Sequence, residues 1–181
     1  MESGAGSAAG DQTILRVGDL LVPERVKVPL EGLDKGSILA ELVELLARSA
    51  DLAAQRDEIH RAVWEREEVL STGIGEGIAL PHAKIAGLDA IAMAAGVCRE
   101  PVEFGALDGR PVRLLFLLLG PETAAASQVR LLSRISRLLS DRSLRRRLMA
   151  VADAELFCQI LRDAERDLRG TLTVANDKDD K

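Results

Sequence analysis

The chain has 181 residues, 47% of them apolar, and a formal charge of −5 at pH 7, which suits one soluble domain with a substantial core and argues against nucleic acid as a partner. Aromatic residues make up 2% and tyrosine is absent, so stacking platforms for bases or sugar rings are not expected and the core must come from Leu, Ile, Val and Ala. Two cysteines, Cys98 and Cys158, and two histidines are too few for a disulfide framework or a zinc site; both thiols are expected to be buried and free, with no metal and no cofactor.

Residues 1–11 are rich in Gly, Ala and Ser and are expected to be disordered. They offer neither a basic leader nor an apolar signal core, and the longest apolar run, from Leu114, is far too short to span a bilayer. A cytoplasmic protein without membrane insertion is the expectation. Residues 12–168 are read as one domain and 169–181 as a flexible tail.

Val17 to Leu21 reads as a short helical turn, and Arg25 to Val28 alternates as a half-buried strand does. From Asp34 to about Ala50, Ile38, Leu39, Leu42, Leu45 and Leu46 recur on one helical face. A second helix over about Gln55 to Val69 turns Ile59, Ala62 and Val63 inward and ends just before Ser71 and Thr72. Gly77 to Pro81, Ala90 to Val97 and Val112 to Leu119 read as strands, and the unbroken apolar run of the last marks it as central, covered on both faces. Pro121 opens a long helix with Val129, Leu132, Ile135, Leu138 and Leu139 inward and Arg130, Arg134 and Arg137 outward. Helical segments from Ser143 to Val151 and from Asp153 to about Asp167 follow. The order is one strand, two helices, three strands and three helices: an α/β fold of three layers, α/β/α, around a mixed, partly parallel sheet.

The chemistry concentrates in Glu65 to Lys84. Glycines 73, 75 and 77 precede Pro81 and His82. The run is not a P-loop, since Gly77 is followed by Ile78 rather than Lys, and it is not a dinucleotide fingerprint, since it lies between a helix and a strand. A neutral imidazole is nucleophilic at physiological pH and attacks phosphorus without a separate base. The phosphoimidazole then needs donors around its oxygens. Arg66, the hydroxyls of Ser71 and Thr72, and the amides of Gly73, Gly75 and Gly77 are candidates for that task. His60 reads as a surface or partner-facing residue. Lys84 reads either as raising the potential near His82 or as a solvated strand-end charge. The arginines from Arg130 to Arg147 read either as solvated faces paired to carboxylates or as a docking surface for an acidic partner.

The run Arg66 to Lys84, REEVLSTGIGEGIALPHAK, resembles the signature of the type-2 enzyme IIA family of the bacterial phosphoenolpyruvate-dependent phosphotransferase system. That family includes fructose- and mannitol-type IIA domains and the nitrogen-regulatory branch. The resemblance extends over roughly residues 14–165, including LLSRISRLLSDRSLRRRL from Leu131 to Leu148. It implies a phosphocarrier with His82 as the phosphorylated residue, Arg66 as the cation beside it, and Thr72 positioning the phosphoryl group or the ring. It implies an HPr-like phosphocarrier protein as donor, and a IIB component of sugar uptake or a regulated kinase or transporter as recipient. Relatives commonly carry a second histidine at the start of the long helix, where this chain has Gln128, which can hydrogen-bond a phosphoryl oxygen but brings no charge. That departure leaves room for a regulatory role. A non-phosphoryl anion- or ligand-binding module of the same fold is the remaining reading.

Overall fold

A computed structural model describes residues 15–176; the expected disordered start at 1–11 and the end of the expected tail lie outside these. Among the described residues six strands are formed: β1 (Val26–Leu30), β2 (Gly73–Gly75), β3 (Ile78–Ala79), β4 (His82–Ile85), β5 (Ala92–Val102) and β6 (Val112–Pro121). Six helices accompany them: α1 (Val17–Leu20), α2 (Lys35–Ser49), α3 (Arg56–Val69), α4 (Ala125–Leu138), α5 (Arg142–Met149) and α6 (Ala154–Asn176).

β6 is the middle of the molecule. Successive side chains of a strand point to opposite faces, and here both faces are apolar. Leu114, Phe116 and Leu118 pack with α1, α4, α5 and α6, and Leu115, Leu117 and Leu119 pack with α2 and α3. All six are fully buried. β5 runs antiparallel to β6 on one side, with β1 parallel beyond it. On the other side β3 and β4 follow one another along β6, both parallel to it, and β2 pairs antiparallel with β3. The three-layer α/β architecture with a mixed sheet is therefore present.

Four local expectations are corrected. The glycine run, expected to lie between a helix and a strand, itself contributes a strand, β2, which forms a hairpin with β3. β3 falls within the strand expected over Gly77 to Pro81, but β2 is too short to show an alternating pattern, and only the turn residues betray it: Glu76 and Gly77 both have positive φ, 54° and 77°. His82 does not close the preceding strand but opens its own, β4. The long helix differs from the expected inward face in its first turns alone. Ile135, Leu138 and Leu139 are buried as expected and Leu132 is half-buried against the core, but Val129 is 62% exposed and Gln128 and Leu131 are buried in its place. The last helix, expected to stop near Asp167, continues through Gly170 to Asn176.

The termini of two helices explain where the layers meet. Asp34 caps α2 by accepting the Ser37 amide at 2.8 Å, while Ser37 Oγ accepts the Asp34 amide at 3.2 Å, a reciprocal capping box. Glu165 of α6 accepts the amides of Val17 and Gly18, each at 3.0 Å, and so satisfies the first turn of α1. At Gly18 a Cβ would come within 2.7 Å of Arg162 Cγ, which is why the two helices approach so closely there. Cys98 and Cys158 are buried and free, and burial pushes the Cys98 thiol up to about 11.

Candidate functional site around His82

His82 pairs with Leu118 on the outer flank of β6, so the two side chains share the face that α4 covers. Pro81, which precedes it, keeps its carbonyl in the sheet by accepting the Leu118 amide at 2.9 Å. The ring is partly buried, and Nδ1 lies 2.9 Å from the carbonyl oxygen of Leu80. A carbonyl can only accept, so Nδ1 carries the proton and Nε2 keeps its lone pair. Burial lowers the imidazole pKa below its ordinary value. The bond to Leu80 and the charge of Glu67 oppose that shift, and the charge of Arg66 adds to it. Neutral, nucleophilic imidazole is therefore the dominant form at neutral pH.

Arg66 belongs to the last turn of α3. One guanidinium nitrogen donates to the Leu70 carbonyl at 2.9 Å, and no carboxylate pairs with it among the described residues. Its remaining donors are open to an anion. Exposed Lys84 lies two residues beyond His82 on the same strand, and His60 is exposed on α3.

The two hydroxyls expected to meet a phosphoryl group are engaged elsewhere. Ser71 Oγ donates to the Phe104 carbonyl at 2.9 Å and accepts the Gly73 amide at 3.2 Å. Thr72 is buried, and its hydroxyl donates to Glu67 at 2.5 Å. Glu67 also accepts the Thr72 amide at 3.0 Å, and Lys35 of α2 approaches the same carboxylate at 2.5 Å. The Thr72 carbonyl in turn accepts the amide of Leu80 at 3.0 Å. A continuous chain of polar contacts thus runs from Lys35 through Glu67, Thr72 and Leu80 to the imidazole. Neither Glu67 nor Lys35 was singled out from the sequence. A signal was present for Glu67, since it continues the buried spacing of Ile59 and Val63 at four-residue steps.

The glycines divide. Gly73 pairs with Ala79, close to the Thr72 corner. The carbonyl of Gly77, in contrast, accepts the amides of Arg113 and Leu114, four positions along β6 from the partner of His82. At about 3.3 Å per residue that is roughly 13 Å. Gly75 is further round the same hairpin, and the neighbouring amide of Glu76 is already taken by Asp108 at 2.8 Å. The structure does not bring Gly75 and Gly77 to His82. Gln128 is buried in the first turns of α4, and its amide nitrogen donates to the carbonyl of Ala83 at 3.0 Å. It braces the backbone of β4 beside His82, from the same face of the sheet, and lies against Gly120, where a Cβ would press within 3.2 Å of its side chain.

The model of the family described as "Phosphoenolpyruvate-dependent sugar phosphotransferase system, EIIA 2" matches residues 19–164, and the chain belongs to that family. It is 36% identical over 144 residues to a nitrogen regulatory protein of Bradyrhizobium diazoefficiens, covering 79% of this chain and 92% of that one. It is 32% identical over 152 residues to the fructose-specific EIIABC component of the PTS system of Bacillus subtilis, covering 84% of this chain but 24% of that longer protein. Among solved structures, nitrogen regulatory protein IIA-Ntr from Neisseria meningitidis superposes with a TM-score of 0.74 at 35% identity, covering 80% of this chain and 98% of the other. Family members are phosphocarriers of the phosphotransferase system. Among the described residues, no helix is long and apolar enough to cross a membrane.

Proposed function

We propose that the chain carries a phosphoryl group on Nε2 of His82, received from an HPr-like phosphocarrier protein. The observation that carries this reading is the fixed tautomer: Nδ1 is tied to Leu80, so Nε2 has a lone pair and no proton to lose. Nε2 forms a bond to phosphorus as the donor's bond to the same phosphorus breaks, and the electron pair stays on the donor. Arg66 neutralises the charge on the phosphoryl oxygens. Glu67 and Thr72 act behind the ring as positioning residues, and Gln128 holds the strand on which it sits. The phosphoryl group then leaves by the reverse step to an acceptor nucleophile.

For the recipient, two readings stand on different relatives. Nitrogen regulatory proteins are among the relatives matched almost end to end, at 35–36% identity, which favours a chain whose phosphorylation state controls a partner such as a kinase or transporter. The fructose-specific relative favours onward transfer to a IIB component. Incubation with phosphoenolpyruvate, enzyme I and an HPr homologue tests the common core. Acid-labile label on the native chain and none on His82→Ala is the expected result; equal labelling of the variant overturns it. Adding a IIB component and following loss of the label then separates the two recipients.

A further inference from the structure

The basic helices that lie outside the phosphoryl site have a chemistry of their own. From Ala125 to Met149, α4 and α5 carry seven arginines against one aspartate, a local charge of +6 in a chain whose total is −5. Two of the seven have structural work. Arg134 pairs with Glu165 at 3.5 Å. Arg145 pairs with Glu76 at 3.2 Å and closes the end of α4 by donating to the carbonyls of Leu139 and Ser140 at 2.7 and 3.0 Å. The other five, Arg130, Arg137, Arg142, Arg146 and Arg147, are exposed and have no carboxylate partner among the described residues. Arg130 makes one bond, to Ser127 at 2.9 Å. Like charges one helical turn apart, as at Arg130 and Arg134 or Arg142 and Arg146, disfavour the helix slightly. Arg137, Arg146 and Arg147 stand in the last turns of α4 and α5, where a cation is mildly favourable, but none of the five is matched to a carboxylate among the described residues, although the chain has 29 acidic residues to place beside them.

From this arrangement we infer that the arginine face of α4 and α5 docks a short acidic segment of a partner polypeptide. The charge is complementary, and guanidinium forks match carboxylates in geometry. The reach fits as well: Arg130 to Arg137 spans about 10 Å along α4, beside a groove of about 240 Å³ between α4 and α6. A nucleic acid fits less well, because the rest of the chain carries −11 and repels a long polyanion, and no aromatic side chain on either helix offers a base a stacking surface. An anionic membrane fits less well too, because Val129 is the one large apolar side chain exposed on these helices.

The test titrates ¹⁵N-labelled, unphosphorylated protein with an acetylated ten-residue peptide of alternating Asp and Glu, so it is independent of whether His82 accepts phosphate. Parallel titrations use the Asn/Gln version of the peptide, a short DNA duplex, and phosphatidylcholine–phosphatidylglycerol vesicles. Saturable amide shifts confined to α4 and α5, with Kd raised at least tenfold in Arg137→Gln/Arg146→Gln and unchanged in Arg61→Gln/Arg113→Gln, are expected. The inference is overturned by shifts centred elsewhere, by equal weakening in the control variant, or by duplex or vesicles binding as tightly as the peptide.

Discussion

Thr72 is held twice by one buried carboxylate: Glu67 accepts its amide at 3.0 Å and its hydroxyl at 2.5 Å. Lys35 balances the charge from α2 while lying 4.6 Å from the centre of the Phe104 ring. Glu67→Gln leaves Lys35 without its counter-charge in a site where only a quarter of that side chain is exposed. Full burial of such a pair makes its loss worth 3–5 kcal/mol; here about 2–3 kcal/mol is expected. Urea denaturation at pH 7 reads this directly, and an unchanged midpoint would mean that the pair anchors nothing. Because the charge of Glu67 raises the pKa of His82, NMR titration of the same variant should also show the imidazole titrating lower than in the parent.

The depressed pKa of His82 has a definite sign in pH space. Above its ordinary value of 6.5, the ring is neutral both folded and unfolded, and contributes no pH dependence. As pH falls below 6.5, the unfolded chain takes up the proton first, so stability declines until the lower folded pKa is passed. Phosphoryl acceptance follows the folded titration. Its initial rate should stay level from pH 8 to 6.5 and fall only at more acid pH. A midpoint above 6.5 for the His82 ring in the folded protein would contradict the burial argument.

Arg66→Gln removes both the cation proposed to meet the phosphoryl oxygens and a charge that holds the His82 pKa down. Labelling by the HPr homologue should drop by two orders of magnitude or more, within the range for losing a preorganised donor of about 3 kcal/mol. The His82 titration should move up at the same time. A fall in labelling with no upward movement would place Arg66 outside electrostatic reach of the ring.

The phase of α4 can be checked by two truncations two residues apart. Leu131→Ala opens a cavity against the sheet and should cost about 2–5 kcal/mol, whereas Val129→Ala on the exposed face should stay within about 0.5 kcal/mol. The reverse order of thermal midpoints would return Val129 to the inward face expected from sequence.

Gly75 separates hairpin geometry from phosphoryl binding. Its φ is +98°, and a Cβ would lie 3.1 Å from Asp108 Oδ2, the atom that accepts the Glu76 amide. Gly75→Ala should therefore destabilise by roughly 1–3 kcal/mol. Labelling per folded molecule at low temperature should be unchanged, since the hairpin tip lies away from His82. A selective loss of labelling in fully folded protein would return the glycine to the site.

Long elements were legible in the sequence because their periodicity is strong. α2, α3 and β6 run close to where the spacing of Ile38, Ile59 and Leu114 with their neighbours puts them. The signature around His82 was legible too, and with it the family. What was not legible depended on contacts between distant residues. Thr72 and Ser71 look like free hydroxyls until Glu67 and Phe104 are folded against them. The glycines look like one cradle until pairing with β6 spreads them along the strand direction. Gln128 is expected near the phosphoryl group, but its burial in α4 and its bond to the Ala83 carbonyl, which go with Val129 turning outward, depend on β4 being folded against it.

The carboxylate of Glu165 joins residues 147 and 148 positions apart by accepting the amides of Gly18 and Val17. With Arg162 donating to the carbonyl of Gly18 at 3.2 Å, it clasps the first helix to the last. Native-state hydrogen exchange should therefore find α1 and α6 opening together as one cooperative unit, even though almost the whole chain separates them in sequence.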